Sequence, residues 1–329
     1  MSNQPRAAIA GTGSYLPDRV LTNADLEKMV ATSNDWIIER TGIRERRIAS
    51  PQETTASMAV IAARKALQDA NMQAADLDLI IVCTVTPDYV FPATACLLQA
   101  ELGAARAAAF DLEAACSGFL YGLHTARAMI LSGLHRNVLV VGAETLSRVI
   151  DYTDRGSCIL FGDGAGAAVL SRSASGAGVL FSKIASDGSQ ADILQIPAGG
   201  SKLPPSQQTI AAGQHFMRIE GRRVFKFATN AFVDLCQEAL QACELQSSDI
   251  ALVVPHQVNE RIIEAAMKRL DFPWEKIFVN IDRYGNTAAA SVPIALDEAR
   301  RQGRLRPGDL AIMLAFGAGL GWSSAVVRM

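Results

Sequence analysis

The sequence is short of the residues that build disulfide frameworks and metal sites. Its 329 residues include six cysteines and four histidines, and no two cysteines form a C-x-x-C pair. Most of the cysteines lie in apolar runs or helical patterns, which favours reduced thiols over structural disulfides. The same spacing argues against a zinc site, which would need clustered cysteine and histidine ligands.

Long apolar runs and a strong net charge are also missing. No apolar run reaches the roughly 18 residues of a membrane-spanning helix, and the N-terminal stretch M-S-N-Q-P-R-A-A-I-A-G lacks the apolar core of a signal peptide. The formal net charge of -2 gives no overall attraction to nucleic acid or an acidic membrane. We therefore expect a cytoplasmic protein with neither partner. Hydrophobic residues make up 50% of the chain, enough for a large core in two domain-sized units.

The most informative stretch is residues 111–122, D-L-E-A-A-C-S-G-F-L-Y-G. An apolar run of strand length precedes it, and a helical pattern of apolar residues follows it, so Cys116 lies where a strand turns into a helix. The unpaired N–H groups and the dipole of a helix start can lower a thiol pKa from about 8.5 to roughly 3.5 to 7.5. That favours a nucleophile, although a small apolar residue filling a tight turn fits the local sequence equally well.

An internal repeat indicates one fold used twice. Residues 66–83 align without a gap on residues 239–256, an offset of 173, and F-G-D-G-A-G from Phe161 is echoed by F-G-A-G-L-G from Phe316. Helix-then-strand units occur in both halves. They predict an α/β protein with mixed, mostly parallel sheets covered by helices.

The repeat also predicts where side chains converge. At an offset of 170, Cys116 corresponds to Asn286 in D-R-Y-G-N-T-A-A-A-S, and His256 is the counterpart of Cys83 at a strand end. If a pseudo-twofold axis relates the halves, both helix starts meet at the centre with His256 beside them. The remaining histidines are expected to be structural or solvated, since none lies at a strand end facing a glycine-rich turn: His124, His135 and His215.

A second candidate site lies in residues 32–48, where Trp36 stands among several arginines, including Arg40. An indole ring with guanidinium groups could hold an adenine and its phosphates, because arginine binds phosphate through two hydrogen bonds and stacks on rings. From the residues alone, a solvated basic face with a partly buried tryptophan is the favoured interpretation.

With A-C-S-G-F, P-H-Q-V-N and Y-G-N-T-A-A-A-S-V-P, the sequence resembles the thiolase-fold condensing enzymes, and more narrowly the beta-ketoacyl-acyl carrier protein synthase III family. Further motifs follow in family order over nearly the whole chain: G-T-G-S-Y-L-P, W-I-I-E-R-T-G-I-R-E-R, D-R-G-S-C-I-L-F-G-D-G-A-G-A-A-V-L and A-F-G-A-G-L-G-W-S-S-A-V-V-R. The resemblance implies a thiolase-like fold of two pseudo-repeated halves, residues 1–173 with the cysteine and residues 174–329 with the histidine and asparagine.

The resemblance also implies an initiating condensing enzyme of type II fatty acid synthesis. Cys116 would take an acetyl or other short acyl group from acyl-CoA, and malonyl-acyl carrier protein would then lose carbon dioxide and attack it. His256 and Asn286 would hydrogen-bond the malonyl thioester carbonyl, and the backbone N–H groups of Cys116 and Ala318 would form an oxyanion hole. Both thioesters are substrates, so no metal or cofactor is implied. Ala318 replaces the family's usual glycine, which would add strain if the position requires a positive φ.

Further residues match family positions with binding roles. Six match positions that contact coenzyme A: Thr32, Trp36, Arg40, Arg155, Gly221 and Asn259. Four basic residues, the basic cluster, match the face that receives the acidic carrier protein: Lys226, Arg261, Lys268 and Arg269. For the acyl pocket, Leu146 and Tyr121 are candidate walls, and Phe91 matches a residue that closes the partner's pocket across a homodimer interface.

Three other functions remain open at this point. Within the fold, the chain could be a related condensing enzyme of specialised metabolism that uses an unusual or longer acyl starter. From other classes, a cysteine, histidine and asparagine could belong to a papain-like hydrolase, but that family's local cysteine signature is missing. An inactive partner that only binds acyl carriers would more often have lost one of the three residues.

Overall fold

Two large sheets organise residues 6–329, which are the residues that a computed structural model of the chain describes. The strands are β1 (Arg6–Tyr15), β2 (Val20–Thr22), β3 (Glu45–Arg47), β4 (Leu79–Cys83), β5 (Ala108–Leu112), β6 (Asn137–Glu144), β7 (Gly164–Ser173), β8 (Gly178–Ser186), β9 (Leu194–Gln195), β10 (Arg218–Ile219), β11 (Leu252–Pro255), β12 (Leu310–Gly317) and β13 (Gly321–Arg328). The helices are α1 (Asn23–Leu26), α2 (Asn34–Thr41), α3 (Thr55–Asp69), α4 (Thr94–Leu102), α5 (Gly118–Leu131), α6 (Arg155–Cys158), α7 (Gln207–Ala211), α8 (Gly221–Ala242), α9 (Glu260–Arg269), α10 (Ile281–Tyr284) and α11 (Ser291–Arg301).

The sheets are mixed, as predicted, but they are not mostly parallel. The first has the strand order β1-β7-β6-β4-β5, and the second has the order β11-β12-β13-β8. Three neighbouring pairs are parallel, β4 with β5, β4 with β6, and β11 with β12, whereas the other four are antiparallel. Parallel neighbours need a crossover connection, which the helix-then-strand units supply. The glycine-rich turn between β12 and β13 is too short for a crossover and permits only an antiparallel pair.

Helices and sheets alternate in five layers. Helices α3 and α4 cover the outer face of the first sheet, α5 and α11 lie between the two sheets, and α8 with α9 covers the second. The middle layer is apolar on both sides: Phe119, Leu120 and Leu123 of α5 are buried in a cluster with strands of both sheets. None of the helices in residues 6–329 is long and apolar enough to cross a membrane.

The repeat at an offset of 173 is confirmed by the elements themselves. Strand β6 and strand β12 match over their whole lengths at this offset, and β4 and β11 begin 173 residues apart. Helices α3 and α8 end 173 residues apart, and each is followed by a residue of left-handed conformation, Asn71 with φ 52° and Glu244 with φ 55°. His256 is therefore the structural counterpart of Cys83.

The predicted pairing of Cys116 with Asn286 is wrong by three residues. The 3-10 turns Ala115–Ser117 and Ala288–Ala290 begin 173 residues apart, and both open on an alanine of positive φ, 45° at Ala115 and 42° at Ala288. Cys116 thus corresponds to Ala289, and Asn286 to Glu113. Runs of small residues can be aligned at several offsets, so the sequence alone does not decide between them. The backbone conformation of the two turns selects the offset of 173. The two turns do pack against each other, as the pseudo-twofold predicts.

Candidate active site

Cys116 occupies the strained turn that the sequence predicts. Strand β5 ends at Leu112, the 3-10 turn follows, and α5 begins at Gly118. Ala115, just before the cysteine, is in the left-handed region, a costly conformation for a residue with a Cβ. Such strain persists only where the surrounding structure over-determines it. The turn holds Cys116 almost buried, with 8% of its surface exposed.

The pKa of Cys116 is raised, which corrects the prediction of a lowered value. Burial raises the pKa of this thiol to about 12, and the charge of the nearby Glu144 carboxylate adds to the shift. Loss of hydration penalises the thiolate more than the short helix start stabilises it. The resting nucleophile is consequently a thiol.

The glycine-rich turn between β12 and β13 lies directly against Cys116. Gly317 is the last residue of β12, and a Cβ added to it would lie only 2.7 Å from the backbone nitrogen of Cys116. Ala318, the next residue, lines the same cavity as Cys116. Ala318 is not among the residues of positive φ in the described part of the chain, so the predicted strain at this substitution does not arise. The turn therefore brings the two predicted oxyanion-hole residues to one site.

His256 is buried and lacks hydrogen-bond partners on its ring. It follows β11 directly, and its backbone N–H donates to the Leu314 carbonyl at 2.7 Å. Neither ring nitrogen has a partner within residues 6–329, and the ring packs edge-on against Phe316 at 5.8 Å between centroids. Burial lowers the pKa of His256 to about 3, so the imidazole is neutral. A buried polar group without a partner is uncommon and marks a place where a ligand can bond.

A backbone N–H group two residues later in the chain orients the Asn286 side chain. Its Oδ1 atom accepts the Ala288 N–H at 2.8 Å, and its main chain bonds to Leu160 and Gly162. With Oδ1 engaged, the amide NH₂ group is the part of the side chain left to donate. Asn286 thus presents a hydrogen-bond donor near the turn at Cys116.

A cavity of about 1030 Å³ leads to these residues. Cys116, Ala288 and Ala318 lie on its wall, whereas His256 and Asn286 do not line it. Asn286 bonds to Ala288, and His256 packs on Phe316, whose neighbour Gly317 lies against Cys116. His256 and Asn286 are therefore linked to the Cys116 end of the cavity through residues that contact it, while Cys116 alone of the three lines the cavity.

Comparison with known proteins agrees with this geometry. Residues 110–188 match the family 3-oxoacyl-(acyl-carrier-protein (ACP)) synthase III, and residues 240–329 match its C-terminal part, together just over half of the chain. A beta-ketoacyl-(acyl-carrier-protein) synthase III of Caldanaerobacter subterraneus is 53% identical over 328 residues, covering 100% of this chain and 99% of that one. The chain belongs to this family.

Solved structures show the same thiolase-like fold. The crystal structure of 3-oxoacyl-(acyl-carrier-protein) synthase III from Aquifex aeolicus has a TM-score of 0.91 at 47% identity, and the match covers 98% of this chain and 100% of that one. The priming beta-ketosynthase of the R1128 polyketide pathway has a TM-score of 0.91 at 37% identity, covering 100% and 98%. The predictions of the synthase III family, an acyltransferase of fatty acid synthesis, and of its fold are thus confirmed.

The candidate CoA residues of this synthase III chain fall into a cluster and an outlier. Two guanidinium groups flank the Trp36 ring, Arg155 at 4.6 Å and Arg40 at 5.5 Å from its centroid. The Asn259 amide donates to the Arg40 carbonyl at 3.0 Å, and the buried Thr32 hydroxyl has no partner within residues 6–329. These five residues surround one surface site. The sixth, Gly221, begins α8, is exposed and takes part in none of these contacts.

The arginines of this stretch are only partly a solvated face, since Arg44 is exposed and Arg46 is not. Arg46 is fully buried and donates to the carbonyls of Leu21 and Ile159 and to the Asn23 side chain. Burial lowers its pKa to about 10, which still leaves it charged at neutral pH. Arg46 therefore holds the segment in place, while Arg40 faces outward beside Trp36.

The basic cluster lies on the outer faces of α8 and α9. All four side chains belong to exposed residues, and none forms an ion pair within the part of the chain that the structure describes. Helices α8 and α9 pack together, and Arg269 donates to Asn230 on α8 at 2.8 Å, one turn beyond Lys226. The cluster is thus a positively charged surface of free cations.

Of the predicted acyl-pocket residues, two line the cavity and one lies on the protein surface. Leu146 and Tyr121 line the cavity, and the Tyr121 hydroxyl donates to the Ala185 carbonyl at 2.7 Å. Phe91 does not line the cavity of its own chain; it is 84% exposed, next to Val90 at 95%. An exposed apolar pair of this kind is unusual on a free surface.

Two buried residues beside the site escaped the sequence analysis. Gln257 follows His256; its amide donates to the Pro255 and Phe278 carbonyls, and its oxygen accepts the N–H groups of Asn280 and Ile281. Glu144 ends β6 and accepts hydrogen bonds from three consecutive residues of the loop after β4. The only signal in the sequence was an acid closing the apolar run N-V-L-V-V-G-A-E.

Proposed function

We propose that the protein catalyses the first condensation of fatty acid synthesis. An acyl-CoA with a short primer acylates Cys116, and malonyl-acyl carrier protein then condenses with the acyl group. The products are 3-ketoacyl-acyl carrier protein, CoA and carbon dioxide. The observation that carries this proposal is the position of Cys116 at the cavity wall, with the Gly317–Ala318 turn against its backbone and the donors His256 and Asn286 behind.

In the first step, Sγ of Cys116 attacks the thioester carbon and the carbonyl oxygen becomes an oxyanion. The N–H groups of Cys116 and Ala318 receive that charge, because fixed donors stabilise most strongly where charge develops in the transition state. The carbon–sulfur bond to CoA breaks, and the departing sulfur takes up the proton that the thiol loses. The balance of this exchange needs no cofactor.

In the second step, the bond between the malonyl α-carbon and its carboxylate breaks, and carbon dioxide leaves. The electron pair forms an enolate whose oxygen accepts hydrogen bonds from the neutral His256 ring and the Asn286 NH₂ group. Because the pKa of His256 is lowered to about 3, the ring donates without carrying a charge. The enolate carbon attacks the acyl carbon, and the Cys116 sulfur leaves as a thiolate and takes up a proton from solvent, since its own proton left with CoA in the first step.

The surface features support the binding partners in this proposal. The Trp36 ring between Arg40 and Arg155 fits an adenine and its phosphates, with Thr32 and Asn259 beside them, and we place Gly221 further along the same channel. The basic cluster fits the acidic carrier protein, where charge speeds association more than it deepens affinity.

We also propose a homodimer, in which Phe91 closes the acyl pocket of the partner opposite Leu146. Its exposed loop supports this, as does β5, an edge strand whose outer side has no neighbour in the first sheet. The halves 1–173 and 174–329 and a cytoplasmic location belong to the same proposal.

The deciding experiment is an acylation assay on the intact protein. The purified protein is mixed with a panel of acyl-CoAs without malonyl carrier, and the mass of the protein and of its Cys116 peptide is measured. An adduct on Cys116 supports the proposal, and Cys116→Ala is the matched control. Absence of any adduct on a folded protein would contradict it and favour a non-catalytic carrier-binding role. Release of free acid without a stable adduct would favour a hydrolase.

One observation favours a second candidate function. The polyketide priming enzyme shares the whole fold with this chain at 37% identity, so a specialised starter enzyme is the closest alternative. Preference for acetyl-CoA in the acylation panel would support the fatty acid role. Preference for longer or unusual starters would support the alternative.

A further inference from the structure

The Glu144 carboxylate lies beneath the site and is completely buried. It accepts hydrogen bonds from the Thr86 hydroxyl at 2.6 Å, the Thr84 hydroxyl at 3.1 Å and the Val85 N–H at 3.2 Å. These donors all belong to the loop after β4, which also carries residues of the cavity wall. Glu144 therefore ties the end of β6 to that loop.

The same carboxylate faces the turn Ala288–Ala290. Gly142 and Glu144 lie two residues apart on β6 and so share one face of the strand, which is the face against this turn. The Ala289 N–H favours the ionised form of the carboxylate. Strand β6 approaches this turn as closely as a backbone can, since a Cβ on Gly142 would lie 2.2 Å from the Ala289 carbonyl oxygen. The backbones of β6 and of this turn are therefore in direct contact beside Glu144.

The repeat relates this contact to the oxyanion hole. In the first half, the Ala115 N–H donates to the Glu113 side chain at 3.2 Å; 173 residues later, the Ala288 N–H donates to the Asn286 side chain at 2.8 Å. The next N–H in each turn belongs to Cys116 and to Ala289. Successive N–H groups in such a turn form an anion-binding concavity. At the turn Ala288–Ala290 a buried carboxylate faces this concavity. At the turn Ala115–Ser117 the corresponding concavity lies beside the large cavity that Cys116 lines.

We infer that Glu144 is a positioning residue for condensation: its carboxylate fills the second-half counterpart of the oxyanion hole and so holds Asn286 in place. Asn286 depends on this turn because its Oδ1 atom is bonded to the Ala288 N–H, next to the N–H that faces Glu144. The inference rests on the proposed function, since it concerns the donor to the enolate.

The ionisation of Glu144 agrees with this role. Burial raises the pKa of Glu144 to about 7, while the hydrogen bonds from Thr86, Val85 and Thr84 oppose this shift by favouring the anion. The same negative charge raises the pKa of Cys116. Removing the charge should therefore not slow acylation, even though it releases the turn that carries Asn286.

The test is Glu144→Gln, which keeps the shape of the side chain but replaces one acceptor oxygen with a donor. Acylation from acetyl-CoA is expected to stay within about threefold of wild type or to become faster. The kcat of condensation is expected to fall about 10- to 100-fold with the KM for malonyl carrier unchanged, because displacing a catalytic group by less than 1 Å can cost this much. Amide exchange measured by mass spectrometry should become faster in the peptide spanning residues 286–291.

The matched control is Asp297→Asn, which alters another buried carboxylate outside the site. Asp297 accepts the Thr12 and Ser14 hydroxyls, so its loss should lower the melting temperature without changing the ratio of condensation to acylation. Equal loss of both activities in Glu144→Gln, or wild-type condensation, would overturn the positioning role. Unchanged exchange in residues 286–291 would overturn it independently of activity. A wild-type protein that fails to acylate would instead overturn the proposed function.

Discussion

Gly317→Ala gives the sharpest test of the geometry at Cys116. An added Cβ would lie 2.7 Å from the Cys116 nitrogen, 3.1 Å from its Cβ and 3.2 Å from its Cα, whereas ordinary contact begins at 3.4 Å. All three contacts involve the turn itself and not the end of a flexible side chain. The turn must therefore move by about 0.7 Å to restore contact with the nitrogen.

The displaced atoms include the N–H group proposed for the oxyanion hole. A misplacement approaching 1 Å can cost about 10²-fold in rate, so we expect acylation by acetyl-CoA to fall roughly 10- to 100-fold. Overpacking a tight site costs about 1–3 kcal/mol of stability, which leaves a protein of this size folded. The assay is rapid quench followed by intact-mass measurement of the acylated fraction at saturating acyl-CoA.

The control for this variant is Gly303→Ala. Gly303 has φ 69° and open space around the added Cβ, so alanine there adds backbone strain without a steric clash. Gly303 has no role in the proposed site. It should lose about 1 kcal/mol of stability and acylate at the wild-type rate. If Gly317→Ala acylates within threefold of wild type, the close approach of this turn to Cys116 does not set the acylation rate, and the reasoning fails.

Three further predictions follow from the site and its surface. His256→Ala and Asn286→Ala should still be acylated on Cys116 but should condense about 10²- to 10³-fold more slowly, as loss of one oxyanion donor does; equal loss of acylation would contradict the division of roles. Because burial raises the pKa of Cys116 to about 12, its thiolate fraction grows tenfold per pH unit below that value. Alkylation by iodoacetamide, followed by peptide mass, should accordingly rise without a plateau between about pH 6 and 9, and a plateau near 7 would show a lowered pKa. Charge reversal at Arg261 and Lys268 should slow association of malonyl carrier, most at low salt, while acylation by acyl-CoA is unchanged; parallel loss of both would argue against docking there.

Local sequence patterns predicted the elements around the site, because the spacing of apolar residues along the chain determines them. The strand and helix around Cys116 follow from hydrophobic periodicity, and the repeat at 173 follows from matched apolar positions. The cluster of Trp36 with two arginines was recognised as a possible nucleotide site, although the residues alone favoured a solvated face. The repeat predicted that Cys116, His256 and Asn286 share a site, and the resemblance implied the catalytic role of each.

The errors came from quantities that only the tertiary structure determines. The pKa of Cys116 depends on how completely the opposite half covers it, which a helix-start motif does not encode. The pairing of Cys116 with Asn286 failed because alanine-rich turns can be aligned in several registers, and backbone torsion selects one. Glu144 was missed because its donors come from segments distant in sequence.

The corrected register explains how two similar turns can have different chemistry. In each turn a positive-φ alanine donates to a side chain two residues earlier, Glu113 or Asn286, and the next N–H is free for another partner. At the turn Ala288–Ala290 the role inferred for Glu144 is to fix the backbone, so that Asn286 can serve as a preorganised donor. At the cysteine turn the residue that corresponds to Glu144, at the offset of 173, is Gly317, which has no side chain and leaves room for that turn. The N–H at Cys116 is thereby kept for a charge that appears only during the reaction, which is where a fixed donor lowers the barrier most.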